Sequence, residues 1–448
     1  MQRIGATVIL SLAVLFAVPA TAQVSRSPFN LCEGKEPASA DVRVDACTKV
    51  IELGGLTEKS LSRTFNNRGV AYADKGEIDR AMRDYDEALR RDPTNAVAHN
   101  NRGVAFRKKH AYDRAIQELD AAIRLNAGYA HAYLNRCNAY QNKSEYDRAI
   151  ADCDEAIRLA PQDAVAFNSR GNAFNDRGDD ERAIRDYDRA IELDPNYSNA
   201  FNNRGVAYED RGDYERAIAD YSRAVALNST YLNALQNRAD AYVAYGQAEK
   251  AIEDYGRVLR INPADAHALN GRCQARTASG QAEAAIADCA EAVRLQPREA
   301  RYFATRGFAY LKLGRPDDAI KDFDLALQWD SGLAQALYGR GQARLAKGDA
   351  TASKADMTAA TAIEPDIEEE MDVVVASTSP TQMPEAGKKP KLRAKIQTWT
   401  KEKRETATKE WSANKVKFAD CRSQANEQDL TGHKNWTFVA RCMRKRTD

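Results

Sequence analysis

An arginine recurs every 34 residues through most of this 448-residue chain, and no insertion or deletion interrupts the spacing. A small residue stands thirteen positions after each arginine, and a proline closes most of the intervals. A fixed period of this length is typical of repeat architectures, in which each unit buries its apolar face against its neighbours. We therefore number unit positions 1 to 34 from Ser62 and assign nine units to residues 62–367. The arginines, all at position 7, are Arg68, Arg102, Arg136, Arg170, Arg204, Arg238, Arg272, Arg306 and Arg340.

Each unit carries the pattern of two amphipathic helices. In the first unit, Phe65, Gly69 and Tyr72 share one helical face. Ala81 and Tyr85 begin the apolar face of a second helix. Gly76 lies in the turn between the two helices, and most units have a proline at position 32. Because proline cannot continue the second helix, the next unit begins after it.

At these residues the chain resembles the tetratricopeptide repeat family. The family pattern has an aromatic or apolar residue at position 4, Gly at 8, Tyr or Phe at 11, Ala at 20, an aromatic residue at 24, Ala at 27 and Pro at 32. The resemblance covers residues 62–367. It implies an all-α fold, a right-handed α-solenoid of helix-turn-helix repeats, in which the first helix of each unit lines a concave groove.

Two charged columns depart from that family pattern. Position 7 is Arg in all nine units, where the family usually has an apolar residue, and position 23 is Asp or Glu in all nine. Opposite charges that recur on two packed helices predict a ladder of partly buried ion pairs. Such pairs specify register more surely than they add stability.

The N-terminus predicts export. Arg3 precedes an apolar run that is too short to span a membrane, and Ala20 and Ala22 are small residues of the kind that a signal peptidase reads. We therefore expect residues 1–22 to be a cleaved signal peptide, no transmembrane segment after cleavage, and a soluble periplasmic or secreted protein. Cysteines in such a compartment are expected to pair.

The eight cysteines fall in four pairs along the sequence. Two units have cysteine at both position 8 and position 24, where the two helices of a unit come closest, and no unit has it at only one of them. The remaining pairs flank the repeats, and the alternative for the cysteines within the units is four free buried thiols. The predicted bonds are Cys32–Cys47, Cys137–Cys153, Cys273–Cys289 and Cys421–Cys442.

Residues 23–61 are predicted to form a disulfide-stapled helical cap. Ser39 suits the start of a helix whose face carries Ala46, Val50 and Leu53. Such a cap would cover the apolar end of the first unit.

The C-terminal part differs in charge. Residues 368–390 are predicted to be a capping segment and linker, and residues 391–448 a basic helical hairpin closed by the last disulfide. From Lys388 onward there are 17 Lys or Arg and 7 Asp or Glu. The stretch around Cys421 and Cys442 resembles the short cysteine-paired repeat of phosphate-starvation-inducible exported proteins. Its basic residues could bind an anionic envelope polymer, while its tryptophans fit the small core of a hairpin.

Asparagines concentrate at positions 5 and 6 of the first helices. Asparagine is a poor helix former, so this concentration needs a reason. A carboxamide both donates and accepts hydrogen bonds, which suits a peptide backbone read without regard to sequence. The pattern is similar to the asparagine ladder with which some tetratricopeptide superhelices hold extended polypeptide, although duplication of one ancestral unit would also produce it. The predicted groove residues are Asn67, Asn101, Asn135, Asn203 and Asn237 at position 6, and Asn66, Asn100, Asn168 and Asn202 at position 5.

The sequence gives no sign of catalysis. It has five histidines and no HExxH, GxSxG or Walker A motif, so we expect no enzyme, no metal site and no cofactor. Nucleic acid is not an expected partner outside the cytoplasm. The sequence thus predicts an exported scaffold that binds a protein or peptide of the cell envelope in its groove. The alternative is an anchoring protein whose basic hairpin binds the envelope, with the repeats as a spacer.

Overall fold

The computed structural model describes residues 27–368, and every regular element in that range is a helix. The all-α fold class is therefore confirmed. The helices are α1 (Pro28–Cys32), α2 (Ala40–Leu53), α3 (Glu58–Asp74), α4 (Ile78–Arg91), α5 (Ala96–Lys108), α6 (Tyr112–Leu125), α7 (Ala130–Asn142), α8 (Tyr146–Leu159), α9 (Ala164–Asp176), α10 (Asp180–Leu193), α11 (Ser198–Asp210), α12 (Tyr214–Leu227), α13 (Leu232–Ala244), α14 (Ala248–Ile261), α15 (Ala266–Ala278), α16 (Ala282–Leu295), α17 (Ala300–Lys312), α18 (Pro316–Trp329), α19 (Ala334–Ala346) and α20 (Ala350–Ile363).

The helices pack as nine consecutive pairs, α3 with α4 through α19 with α20, and the second helix of each pair also packs against the first helix of the next. This is the predicted solenoid of helix-turn-helix units. From the second unit on, the first helix begins at unit position 1. In the first unit it begins four residues earlier, at Glu58, because Thr57 caps it by accepting a hydrogen bond from the Ser60 backbone N–H at 3.2 Å.

The turn within each unit requires a left-handed backbone conformation at position 15. Gly76 has φ +77° there, and glycine occupies the position in seven of the nine units. His110 and Ser144 take the same conformation in the second and third units, with φ of 58° and 60°. Only glycine adopts this region without steric cost, so the glycines mark the turns in the sequence.

Positions 8 and 24 meet at the centre of each unit. A Cβ added at Gly205 would lie 2.6 Å from a ring carbon of Tyr221, so the glycine is needed for the tyrosine ring to pack against the first helix. Tyr221 is fully buried as a result. In the third and seventh units the same two positions hold cysteines.

Three of the four predicted disulfides lie within residues 27–368, and the structure forms all three: Cys32–Cys47, Cys137–Cys153 and Cys273–Cys289. The Cα atoms of the two pairs within units are 5.5 Å apart in both cases. This separation lies within the range that a disulfide requires. The cysteines thus replace a glycine–ring contact with a covalent bond at the same point of the unit.

The predicted ion-pair ladder is present in all nine units. In the fifth, Arg204 donates from Nε and Nη2 to the two carboxylate oxygens of Asp220, each at 2.7 Å. The side chains of Arg204 and Asp220 are 20% and 9% exposed. The nine pairs are Arg68–Asp84, Arg102–Glu118, Arg136–Asp152, Arg170–Asp186, Arg204–Asp220, Arg238–Asp254, Arg272–Asp288, Arg306–Asp322 and Arg340–Asp356.

The same arginines also join neighbouring units, which the sequence reasoning missed. The third guanidinium nitrogen, Nη1, donates to an aspartate at position 25 of the preceding unit in five junctions. The distances run from 2.5 to 2.7 Å. The five pairs are Arg102–Asp86, Arg136–Asp120, Arg170–Asp154, Arg204–Asp188 and Arg340–Asp324.

The N-terminal cap is built largely as the sequence predicts. Ser39 accepts a hydrogen bond from the Val42 backbone N–H at the start of α2, and Ala46 and Val50 are buried. Leu53, expected on the same face, is 68% exposed at the last position of α2, so that expectation was wrong. The chain turns away immediately after it at Gly54, which has φ +69°.

Several predicted features lie outside the described residues. These are the signal peptide, most of the segment 368–390, the basic hairpin 391–448 and the Cys421–Cys442 bond.

Candidate functional site

The asparagines at positions 5 and 6 lie where the first helices of successive units contact one another, α3 with α5, α5 with α7 and α9 with α11. Their exposure separates them into two groups. Asn66, Asn100, Asn168 and Asn202, at position 5, are only 5 to 6% exposed. The position-6 amides are partly exposed. We call the nine residues of both groups the asparagine row.

Hydrogen bonds run along the asparagine row between units. The position-6 amide of one unit donates to the position-5 amide oxygen of the unit before it. Asn101 Nδ2 donates to Asn66 Oδ1 at 2.9 Å, and Asn135 Nδ2 to Asn100 Oδ1 at 2.9 Å. The bonds from Asn203 to Asn168 and from Asn237 to Asn202 are both 3.1 Å.

A second set of bonds closes the row within units. Asn66 Nδ2 donates to Asn67 Oδ1 at 3.3 Å, and Asn100 Nδ2 donates to Asn101 Oδ1 at 3.1 Å. Asn101 and Asn203 are therefore held in one orientation by neighbours on two units, whereas each of the other three position-6 amides has one bond within the row. Asn101 uses one N–H on Asn66, and its other N–H donates to no residue that the structure describes. That N–H is a fixed donor available to a ligand.

The row has an interruption and an end. Leu134 at position 5 and Ser169 at position 6 break it between the third and fourth units. In the seventh unit, the buried Oδ1 of Asn270 has no hydrogen-bond partner among the described residues. The reason is that the next unit has Thr305 at position 6, and its hydroxyl donates to the Arg301 carbonyl oxygen instead. The asparagine row thus serves the first six units only.

Several carboxylates lie close together on the first helices of the fifth and sixth units, which also carry part of the asparagine row. Tyr221 reaches past Gly205 and donates from its hydroxyl to Glu209 at 2.7 Å, and Tyr255 donates in the same way to Asp240. Burial raises the pKa of the Glu209 carboxyl, and the nearby Asp240 and Asp210 raise it further. This part of the surface therefore favours cationic groups over anionic ones.

Replacing Glu209 with Gln should stabilise the protein at neutral pH, and the gain should shrink as the pH falls toward about 4. Because the folded-state pKa of Glu209 lies above its ordinary value near 4.5, the folded chain holds a proton there more tightly than the unfolded chain. The contribution of this carboxyl to stability is complete at pH values below its ordinary pKa and is lost as the pH rises through the raised value.

Chemical denaturation at several pH values measures the effect of Glu209→Gln. The matched control is Glu249→Gln, which changes an exposed carboxylate on α14. The prediction is wrong if the two variants show the same pH dependence.

Family models describe the repeats directly. One described as TPR repeat matches residues 69–110 and 171–210, and two described as tetratricopeptide repeat match 130–163 and 198–231, and 237–300 and 305–365. The chain belongs to the tetratricopeptide repeat family. No curated protein sequence matches it.

The chain is also similar to several solved structures. The chain is similar to the Cut9–Hcn1 hetero-tetramer of APC/C, with 16% identity over 78% of this chain and 85% of that one and a TM-score of 0.46. A tetratricopeptide repeat protein from Parabacteroides merdae has 18% identity over 56% and 99% of the two chains, with a TM-score of 0.43. MamA has 27% identity over 36% of this chain and 94% of its own, with a TM-score of 0.32.

Membership of the tetratricopeptide family supports a protein–protein interaction scaffold with protein or peptide partners. The family and its fold are typically non-catalytic. Among residues 27–368, no helix combines the length and the apolar character needed to cross a membrane.

Proposed function

We propose that this tetratricopeptide protein is an exported scaffold that holds an extended polypeptide of the cell envelope along the asparagine row of units 1 to 6. The observation that carries the proposal is an amide N–H on Asn101, Asn135 and Asn237 that donates to no described residue, while the other N–H of each amide is fixed by a bond to the preceding unit. Asn203 does not share this feature, because it donates to both Asn168 and Asn172. An extended peptide presents backbone carbonyl oxygens at regular intervals, and amide N–H groups pair with them whatever the side chains are.

The two groups of asparagines have different parts in this proposal. The amides at position 6 contact the peptide. The amides at position 5 are buried, so they offer almost no surface to a ligand, and they act as positioning groups that orient position 6. Preorganisation of this kind improves affinity because the donors lose little freedom on binding.

The carboxylates beside Glu209 add a charge preference. A segment with basic residues opposite units 4 to 6 would be favoured over an acidic one. Export is supported by the predicted signal peptide and by the three disulfides that the structure forms, since disulfides persist in oxidising compartments.

Replacing Asn101, Asn135 and Asn237 together with Ala should weaken binding of the peptide partner by roughly 2 to 4 kcal/mol, because each hydrogen bond contributes about 0.5 to 1.5 kcal/mol net. The partner is first recovered by affinity capture from the envelope fraction with the full chain. Its affinity for the wild type and the variant is then measured by calorimetry.

The matched control replaces Asn66, Asn100 and Asn202 with Ala. This triple variant removes the acceptors that orient the position-6 amides but leaves every position-6 asparagine in the chain. It should therefore cost stability to a similar degree while retaining more of the affinity. Full affinity in the position-6 variant would show that the row results from repeat duplication alone, and the proposal would fall.

A further inference from the structure

The junction between the sixth and seventh units lacks an acid that most junctions have. Five junctions pair the position-7 arginine with an aspartate at position 25 of the preceding unit, and a sixth uses Ser222, which accepts from Arg238 Nη1 at 3.1 Å. In the sixth unit position 25 is Gly256. Arg272 consequently has no partner on α14.

Packing does not explain Gly256. Glycine is unfavourable in the interior of a helix, and Gly256 lies inside α14 with an ordinary helical backbone. A Cβ added there would meet only the Arg260 guanidinium, at 3.8 Å, whereas one added at Gly205 would collide with a tyrosine ring at 2.6 Å. The absence of a side chain at 256 instead leaves an open space in front of Arg272.

That space is a cleft of about 370 Å³ between α14 and α15. Gly256, Leu259, Arg260, Pro263, Leu269 and Arg272 line it. Leu259 and Leu269 are buried and form apolar walls, and the two arginines supply its charge.

The charge in the cleft is not balanced. Arg272 donates from Nε and Nη2 to Asp288 at 2.7 and 2.6 Å, and its Nη1 donates to no residue in the described part of the chain. Arg276 also donates to Asp288, at 2.7 Å, so two guanidinium groups share one carboxylate. Arg260 is exposed and forms no ion pair with any described residue. The site therefore carries a net positive charge that an anion would compensate.

We propose that this cleft binds a carboxylate side chain from an acidic segment of a partner protein. The five complete junctions show which group satisfies Nη1 of a position-7 arginine, namely an aspartate carboxylate. An incoming Glu or Asp would place its carboxylate where the position-25 aspartate of those junctions lies, with Arg260 as a second donor, and its methylenes would contact Leu259 and Leu269. Paired donors of this type are well suited to a carboxylate.

The next junction shows why one missing acid is not sufficient. Position 25 of the seventh unit is Ala290, so Arg306 also lacks an acid there. However, Arg294, which corresponds to Arg260, is paired with Glu291 at 2.6 Å. In the sixth unit the residue corresponding to Glu291 is Arg257. Arg260 therefore has no acidic neighbour at that position and can donate to a ligand.

The test places a side chain of the protein itself in the cleft, by replacing Gly256. Gly256→Asp supplies the carboxylate that other units have, and Gly256→Ala is the matched control that adds a methyl group alone. A third variant, Arg260→Ala, removes the second donor of the cleft. The full chain of the wild type and of each variant is unfolded by heat at low ionic strength, with and without a blocked hexaglutamate peptide, and helix content is followed. A ligand that binds only the folded repeats raises the unfolding midpoint. Peptide that binds the basic residues from Lys388 onward would affect every variant equally, so it does not change the difference between them.

The peptide should raise the midpoint of the wild type and of Gly256→Ala by about 2 °C or more, and that of Gly256→Asp and Arg260→Ala by less than half as much. Equal shifts in all four proteins, or no shift in any, would overturn the proposal. A shift with inorganic phosphate but not with the peptide would also overturn it, since the site would then take small anions only. The triple variant of Asn101, Asn135 and Asn237 should respond like the wild type, so this test is independent of the proposed function.

Discussion

Replacing Arg204 with Met should lower the free energy of unfolding by about 3 to 5 kcal/mol, because it leaves the buried carboxylate of Asp220 without its partner. Asp220 accepts two hydrogen bonds from Arg204 and is only 9% exposed. Burying an ionised carboxylate without compensation is costly, and the loss of the bond to Asp188 in the preceding unit adds to the effect. Chemical denaturation followed by circular dichroism measures the change.

Two further variants separate the buried pair from ordinary surface charge. Arg158→Met removes an exposed partner of Glu155 on α8 and should change the free energy of unfolding far less than Arg204→Met does. The double variant Arg204→Met with Asp220→Leu should recover much of the loss, since a matched apolar pair carries no stranded charge. If Arg204→Met costs no more than Arg158→Met, the ladder contributes nothing beyond a surface ion pair.

Replacing Cys137 and Cys153 together with Ala should cost roughly 3 kcal/mol, the value expected for a crosslink that closes a loop of this length. The sequence separation of the two cysteines is 16 residues. The change also leaves a space where other units pack a tyrosine ring against glycine. Thermal and chemical unfolding of the oxidised full chain measure the loss.

The matched control for the disulfide is Cys137→Gly with Cys153→Tyr, which installs the pair found in the fifth unit. It should recover part of the loss, because the ring fills the space without a crosslink.

Thiol titration of the unfolded, unreduced protein tests the predicted pairing, and it should find essentially no free cysteine among the eight. Four or more free thiols would contradict the predicted pairing.

Much of this fold could be predicted from the sequence because each pattern recurs in nine units, so every copy supports the same interpretation. The interval between Arg68 and Asp84 recurs in every unit, so one pair of packed helices explains the whole ladder. The cysteines are informative for the same reason, since the fold places positions 8 and 24 in contact. The turn glycines could likewise be assigned, although Ser144 shows that another residue can adopt the same backbone conformation.

Contacts between units were harder to predict, because they depend on how far each unit is shifted against the next. The asparagines were singled out, but their bonds to one another were not. The spacing from Asn66 to Asn101 and from Asn100 to Asn135 is 35 residues, one more than the period, and this signal could have revealed the pairing. The link from Arg204 to Asp188 was missed for the same reason.

The affinity of a scrambled peptide, compared with that of the native segment, tests most directly whether the asparagine row holds a peptide by its backbone. The segment recovered from the envelope is synthesised with its native sequence and with a scrambled order that keeps the positions of its basic residues. The two peptides should bind the full chain with dissociation constants within about threefold of each other, equivalent to less than about 1 kcal/mol. Loss of binding on scrambling would contradict backbone recognition, because the groove would then read side chains.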